Sequence, residues 1–432
     1  MKRIVSALLL SLAMITSCSS NETKKQEFIT TQGKQFIKDG KPYYFVGTNF
    51  WYGPILGSKG EGGDRDRLAR ELDNLKELGV NNLRVLVGAE GLKAHDTKIS
   101  PVLQTAPGEY NDELLDGLDY FMNEIRKRDM TAVLYLANAW EWSGGFVQYL
   151  QWAGEVPEDA IITTRNWTNY RATASLFVRS EKAKALLDDH IRFILSRTNR
   201  YTNEKYIDDP AIFSWQLCNE PRAFSDESKE ALYQWVDKTS TLIRSLDPNH
   251  MISTGSEGEM GSENDLALYE RIHALKNISY LNAHMWAFNW RWVDHADIDG
   301  TLDGALEKAH AYLAKHIAVA DKLNRPLVFE EFGLPRNESK IQRGTPTTSR
   351  DRLYSLVFET ISNSAAEGGS FAGCNFWSWG GEARQIPGQE FWQKGMDYSG
   401  DPAQEAQGLN SVYTDDATTI ALIKKYAEIL AK

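Results

Sequence analysis

Two short runs in the 432-residue chain carry an apolar stretch straight into carboxylates. One is Phe213-Ser214-Trp215-Gln216-Leu217-Cys218-Asn219-Glu220-Pro221-Arg222, and the other is Leu327-Val328-Phe329-Glu330-Glu331-Phe332-Gly333. An acid placed directly after an apolar strand is held partly out of water, which raises the cost of its charge and therefore its pKa. One carboxyl kept protonated and another kept ionised is the pair that cleavage of a glycosidic bond requires. The first protonates the departing oxygen, the second attacks the anomeric carbon, and water later releases the sugar. A lone glutamate in such a place is more often a solvated loop acid or the partner of a nearby arginine. Two of them, on opposite strands of one barrel, shift that weighing.

The elements that must position them follow one alternation. Short β-branched and aromatic runs predict strands at 43–47, 82–87, 132–136, 212–217, 251–254, 278–281, 327–329 and 371–376. Helix-period stripes lie between them: Leu68, Leu72, Leu75 and Leu78 closed by Gly79, then Leu114, Leu118, Phe121 and Ile125, then Ile191, Ile194 and Leu195. Eight strands alternating with helices predict an α/β fold, a parallel sheet closed into a (β/α)8 TIM barrel of one domain spanning 33–432. A doubly wound open sheet is the rival, but no glycine-rich phosphate loop follows the first strand. The connections 138–179 and 380–415 are long enough to build the walls of a cleft.

Composition narrows the partner. Lys plus Arg is 48 against 59 Asp plus Glu, a net charge of −11, which repels phosphate backbones and makes nucleic acid a poor ligand. Neutral polysaccharides, small molecules and proteins stay open. Thirteen Trp within an aromatic content of 11% favour sugars, whose C–H faces stack on indole and phenol rings. Histidine spacing gives no zinc-type pair, and neither an EF-hand loop nor a phosphate-binding glycine run occurs, so neither a metal nor a cofactor is expected. Cys218 and Cys374 fall in strand-like runs and are read as two small buried hydrophobes rather than a disulfide.

An ordered series of blocks resembles glycoside hydrolase family five of clan A, and within it the endo-β-1,4-mannanase branch. The series is Gly47-Thr48-Asn49, Leu136-Ala137-Asn138-Ala139-Trp140, Gly144-Gly145, Tyr149-Leu150-Gln151-Trp152, Arg197-Thr198-Asn199 and Asp209-Pro210-Ala211-Ile212. It continues through Asn219-Glu220-Pro221-Arg222, His284-Met285-Trp286 with Asn289-Trp290, Glu331-Phe332-Gly333 and Asn375-Phe376-Trp377-Ser378-Trp379-Gly380. The resemblance implies a retaining endo-β-1,4-mannanase, with Glu220 as general acid and base and Glu331 as nucleophile. It implies that Asn219 binds the sugar 2-hydroxyl, that Arg84 keeps Glu331 ionised, and that His284 and Trp286 border the reacting sugar on its Trp377 floor. Trp51, Tyr52, Trp140 and Trp142 would make neighbouring subsites, Glu257 would bind an outer sugar, and Asn138 belongs to the same constellation; Trp379 is read as packing or cleft rim. Of the adjacent acids, the family pattern selects Glu331, and strand alternation sends Glu330 toward a helix or an arginine. The chain departs from the family at Tyr52, where Trp is usual, at Ala139, where Asn is usual, and at Trp286, where Tyr is common; these touch outer contacts rather than the reaction centre. Two rivals remain: an endo-β-1,4-glucanase of the same family, and a surface glycan-binding protein that has lost catalysis.

The N-terminus reads as an address. Lys2 and Arg3 precede an apolar run from Ile4 to Ile15, and Ile15-Thr16-Ser17-Cys18 resembles the lipobox of bacterial lipoproteins. Residues 1–17 are expected to be a signal peptide, Cys18 the lipidated residue, and 18–32 a polar tether. The expectation is a monomeric enzyme exported and lipid-anchored to the bacterial envelope, with a mannan-type polysaccharide or oligosaccharide as its partner.

Overall fold

The computed structural model describes residues 27–92, 95, 97–160 and 167–432. The signal peptide, Cys18 and most of the tether lie outside these residues. Eight parallel strands form the centre: β1 (Phe45–Asn49), β2 (Asn82–Leu86), β3 (Thr131–Tyr135), β4 (Ile212–Gln216), β5 (Met251–Ser253), β6 (Leu281–Met285), β7 (Leu327–Phe332) and β8 (Phe371–Phe376). Each is buried along its length, as strands covered on both faces must be. The hydrogen-bonded order is β5-β4-β3-β2-β1-β8-β7-β6, so the (β/α)8 barrel is continuous except between β5 and β6. That seam is stitched by other means. Ser279 N donates to Ile252 O at 2.8 Å, and the Asn282 side-chain oxygen accepts from Thr254 N at 2.9 Å and Gly255 N at 3.0 Å.

The outer ring is α1 (Arg65–Glu77), α2 (Asp112–Arg126), α3 (Glu181–Leu195), α4 (Lys229–Leu246), α5 (Leu266–His273), α6 (Ile298–Leu323), α7 (Thr348–Glu367) and α8 (Ala417–Leu430). The apolar stripes read from sequence bury Leu68, Leu72 and Leu75 of α1 and Leu114, Leu118, Phe121 and Ile125 of α2 against the strands. Asp64, Asn111, Ser180, Asp265 and Asp297 each cap a helix start by accepting backbone N–H groups that would otherwise lack partners.

Three sequence boundaries move. The first strand begins at Phe45, because Tyr43 belongs to an antiparallel hairpin sheet, Thr30–Gln32, Gln35–Lys38 and Lys41–Tyr43, and pairs there with Phe36. Ordered pairing therefore starts at Thr30, inside the stretch assigned above to the tether. The sixth strand is Leu281–Met285 rather than 278–281. Its inward residues Asn282 and His284 are polar and hide a strand from any reading based on hydrophobicity. The seventh strand runs on to Phe332 and so contains both glutamates instead of ending before them.

The hairpin sheet closes the bottom of the barrel. Phe36 is fully buried, with its ring 5.0 Å from Phe213, 5.3 Å from Tyr280 and 6.2 Å from Phe45. Gly47 tolerates the layer above, since a Cβ there would meet Asn82 O at 2.5 Å and the Asn375 amide at 2.4 Å. Cys218 and Cys374 are buried free thiols. Phe36→Ala empties an aromatic site at the end of the barrel away from the carboxylates. It is expected to cost about 3–5 kcal/mol in denaturant unfolding while leaving the catalytic rate of the folded protein close to that of the parent.

Candidate active site

Arg84 is the centre from which the site is built. It points inward from β2, is fully buried, and lays its guanidinium 4.5 Å from the Tyr135 ring. Its Nε donates to Gln216 Oε1 at 2.8 Å, Nη1 to Asn49 Oδ1 at 3.0 Å and to Glu331 Oε1 at 2.5 Å, and Nη2 to Asn219 Oδ1 at 2.7 Å. Glu330 Oε2 lies 3.7 Å from the same Nε.

Both neighbouring acids of β7 therefore face this arginine, which simple alternation forbids. A β-bulge resolves the conflict. Ala283 of β6 registers with Phe329 and the next residue, His284, with Glu331, so Glu330 is skipped. Phe329 packs outward on Phe371 and Tyr312, while Glu330 and Glu331 both turn in. Glu330 does find an arginine, as expected, but from inside the barrel. Gln216 Nε2 donates to it at 2.6 Å and Tyr280 at 3.3 Å, and burial pushes its pKa up to about 7.

Glu220 is presented differently. The backbone continues β4 past Gln216, with Asn219 N bonded to Ala137 O at 2.7 Å and Glu220 N to Gly255 O at 2.9 Å. Glu220 itself sits at φ +50°, a left-handed conformation uncommon for a side chain of its size. The turn swings its carboxylate over the barrel mouth. There Trp140 Nε1 donates to Oε2 at 2.5 Å, and His284 Nδ1 stands 2.8 Å from Oε1. Nδ1 is also 3.4 Å from Glu331 Oε2. Burial and the Arg84 charge hold the His284 pKa far below its usual range, so the imidazole is neutral.

Burial pushes the pKa of each catalytic candidate up, and repulsion from Glu220 adds to that of Glu331. Two such carboxyls share one proton over a wide pH range. Of these two carboxyls only Glu331 accepts a hydrogen bond from Arg84, which favours the bare charge there and the proton on Glu220. Single atoms of Glu220, His284 and Glu331 lie within 4.8 Å of one another, a spacing that also suits a metal ion. The guanidinium 2.5 Å from Glu331 already supplies the positive charge at that position and opposes a second cation.

A solvent-open cleft of about 380 Å³ lies above these groups. Asn219, Glu220, Glu257, Trp286, Glu331, Trp377 and Trp140 line it. Trp286 and Trp377 meet edge to face at 5.9 Å, and the Trp286 indole interacts with Glu220. Glu257 pairs with Arg222 at 2.7 Å, and burial pushes its pKa up to about 8. Asn138 is buried behind the cleft. Its Oδ1 accepts from Asn219 Nδ2 and from Trp140 N, both at 3.1 Å, so it positions two wall residues without facing the cleft.

Two subsite expectations need correction. Tyr52 is fully buried, with its hydroxyl bonded to Trp379 O at 2.8 Å. Trp51 is buried as well, donating to Gly400 O at 2.8 Å and packing on Trp142 at 5.9 Å. The 380–415 connection folds across the end of β1 and covers both, so neither can stack a sugar. Trp379 is packing, its indole bonded to Glu71 at 2.8 Å.

Other residues of the site were given no role from the sequence, although Asn49 and Arg222 stand in its motif blocks. Asn49 supports Arg84 and also donates to Glu330 O at 2.7 Å. Arg222 faces Glu257 across the mouth, and Trp167, Arg171, Gln404 and Glu405 reach the cleft from the two long connections. Only the lengths of those connections pointed to them.

A family model described as GH family 5 beta-mannosidase-like matches residues 26–432. A putative mannan endo-1,4-beta-mannosidase of Oryza sativa subsp. japonica is 30% identical, covering 86% of this chain and 84% of that protein. Mannan endo-1,4-beta-mannosidase 7 of Arabidopsis thaliana is 28% identical over 81% of this chain and 77% of its own. The crystal structure of a family 5 mannosidase from Rhizomucor miehei superposes with a TM-score of 0.85 at 36% identity, covering 94% of this chain and 97% of that one. A mutant of that enzyme has been solved in complex with mannosyl-fructose. An endo-1,4-beta-mannanase from the same fungus, 23% identical with a TM-score of 0.68 over 94% and 99% of the two chains, shares the fold. With its barrel, its cleft and a match across nearly its whole length, the chain belongs to the β-mannosidase-like group of glycoside hydrolase family 5.

Proposed function

We propose that this chain is a retaining endo-β-1,4-mannanase that hydrolyses mannan, glucomannan or galactomannan. The observation that carries the chemistry is the approach of Glu220 and Glu331 to within 4.8 Å, with Arg84 on the second alone. Retaining enzymes hold their carboxyl groups about 5–5.5 Å apart, whereas inverting enzymes leave about 6.5–9.5 Å for a water. Protonated Glu220 gives its proton to the glycosidic oxygen as Glu331 attacks the anomeric carbon, forming a mannosyl ester. Glu220, now ionised, takes a proton from water, which attacks the same carbon and frees Glu331. The glycone rests on Trp377 beside Glu331. The leaving chain lies on the Glu220 side, against Trp140, Arg222 and Glu257. Asn219 is oriented for the 2-hydroxyl, with its Oδ1 already occupied by Arg84 and its Nδ2 by Asn138.

The curated relatives, named as endo-acting mannosidases, support cutting within chains. A second reading, release of single mannose units from chain ends, is favoured by the 380–415 connection standing over the glycone side and by the similarity to the Rhizomucor miehei mannosidase. Mannohexaose separates the two: internal cutting yields mannotriose, or mannobiose with mannotetraose, early, and end cutting yields mannose with mannopentaose. Faster cleavage of carboxymethylcellulose than of mannan overturns the mannan assignment. Affinity for mannan without any release of reducing ends favours a binding protein instead. Glu331→Ala and Glu220→Ala are each expected to lose at least about a thousandfold in kcat on mannan with the fold retained. Near-parental turnover by either purified variant removes that residue from the mechanism.

We also propose export and lipid anchoring through Cys18, supported by the basic start, the apolar 4–15 run and the Ile15-Thr16-Ser17-Cys18 sequence. Cys18→Ser is expected to move the protein from the membrane fraction to the soluble fraction; equal membrane association of both forms overturns the anchor.

The pH profile tests the acid. Arg222 opposes the upward push of burial on Glu220, so removing its charge raises the Glu220 pKa further. A proton donor that holds its proton to higher pH extends activity upward. Arg222→Met is therefore expected to shift the alkaline limb of kcat/KM to higher pH. A limb that stays or moves down shows that another group supplies the proton.

A further inference from the structure

The 380–415 connection ends in a turn whose construction exceeds what a covering loop needs. Asp401 is buried and accepts from Gly408 N and Asn410 N, both at 2.8 Å, and from Ser411 N at 3.2 Å. Gln407, also buried, donates to Asp401 O at 2.8 Å and to Pro402 O and Glu405 O, both at 3.2 Å, and accepts from Ser399 at 2.9 Å. These bonds lock the backbone of 399–411 before any ligand arrives. The two residues this knot holds toward the cleft are Gln404 and Glu405.

Gln404 keeps a polar atom unspent, and Glu405 is held in place beside it. Gln404 Oε1 is sequestered from solvent yet has no hydrogen-bond partner among the described residues. Such an acceptor costs about 1–3 kcal/mol when left unpaired, a cost that a ligand hydroxyl removes. Glu405 Oε2 accepts from Trp377 Nε1 at 3.3 Å, which fixes the carboxyl at the edge of the indole that serves as floor. Burial, then the Asp401 charge, pushes the Glu405 pKa up to about 8. Asp401 and Glu405 are close enough to share a proton, and a protonated Glu405 can donate as well as accept. Glu220 is held by Trp140 and Glu257 by Arg222, so neither competes for this position.

We propose that Gln404 and Glu405 form a clamp that reads the glycone, bonding hydroxyls of the sugar stacked on Trp377 at ring positions remote from the anomeric carbon. The clamp rests on the mannoside reading of the site. It takes the 3- or 6-hydroxyl, the 2-hydroxyl being left to Asn219. The knot makes it rigid, so the sugar is recognised with little ordering cost.

The test pairs protein and substrate changes. The full chain and its Glu405→Ala and Gln404→Ala variants are assayed on 4-nitrophenyl β-mannoside and 4-nitrophenyl β-mannobioside. The same assays use analogues lacking the 3- or the 6-hydroxyl on the sugar next to the leaving group. Glu405→Ala is expected to lower kcat/KM by about 10- to 100-fold on the parent substrates. On one of the two deoxy analogues it should lower kcat/KM by less than threefold, because the partner is already gone. Equal losses on parent and both analogues, for both variants, overturn the clamp and leave a structural role for the loop. Should Glu405→Ala not fold, Glu405→Gln keeps an acceptor for Trp377 and carries the same cycle with Gln404→Leu. A parent enzyme that cleaves neither aryl mannoside nor mannan overturns the mannan reading, a failure distinct from that of the clamp.

Discussion

A guanidinium buried inside a barrel is tolerated only if its donors are answered, and this requirement organises the protein. Arg84 is answered by Asn49 of β1, by Gln216 and Asn219 of β4 and its continuation, and by Glu331 of β7, which with β2 itself makes four strands. Losing any one would leave a desolvated donor, so the four strands are held in one relative register by a single charge. The same charge decides which of two buried glutamates is ionised. Structure and chemistry thus share one cause: the ion that fixes the strands also divides one proton between Glu220 and Glu331.

The bulge in β7 is the geometric counterpart of that charge. Without it, alternation would give Arg84 one carboxylate and send the other toward a helix. With it, Glu330 and Glu331 both face inward, and their environments differ. Glu330 lies deep, held by Gln216 and Tyr280, and its raised pKa reflects burial without access to the cleft. Glu331 lies one residue higher, in the cleft. Depth along the barrel axis therefore sorts two chemically identical neighbours into a supporting and a reacting group. On β4 the corresponding device is the left-handed turn at Glu220, which redirects one side chain without breaking the strand's pairing to either neighbour.

Around this centre the long connections divide the cleft. The segment after β3 brings Trp140, Trp142, Trp167 and Arg171 to one wall, and the segment after β8 brings Gln404 and Glu405 to the other. The second segment also buries Trp51 and Tyr52, which removes two aromatics from sugar contact and makes them its foundation. Where an aromatic sits in sequence relative to a strand end does not say whether solvent reaches it; a loop arriving from some 350 residues later decides that.

Much was legible without coordinates because local physics writes it into local sequence. Strand and helix periodicity, the glycine after Leu78, and acids placed at apolar strand ends all depend on neighbours within a few residues. So the barrel and its two acid-bearing strand ends could be read from the chain, and the family resemblance selected Glu331 over Glu330 and added Arg84, His284 and Trp377. Polar strands broke that reading, as at Asn282 and His284, since inward-facing functional residues erase the hydrophobic pattern that marks a strand. What only the tertiary structure decided were relations between distant segments: the bulge that turns Glu330 inward, the burial of Tyr52 and Trp51, Asn138 acting from behind the wall, and the knot that aims Gln404 and Glu405. Each depends on register or on packing between segments far apart in the chain, and a sequence carries no local signature for contacts that exist only once the barrel has closed.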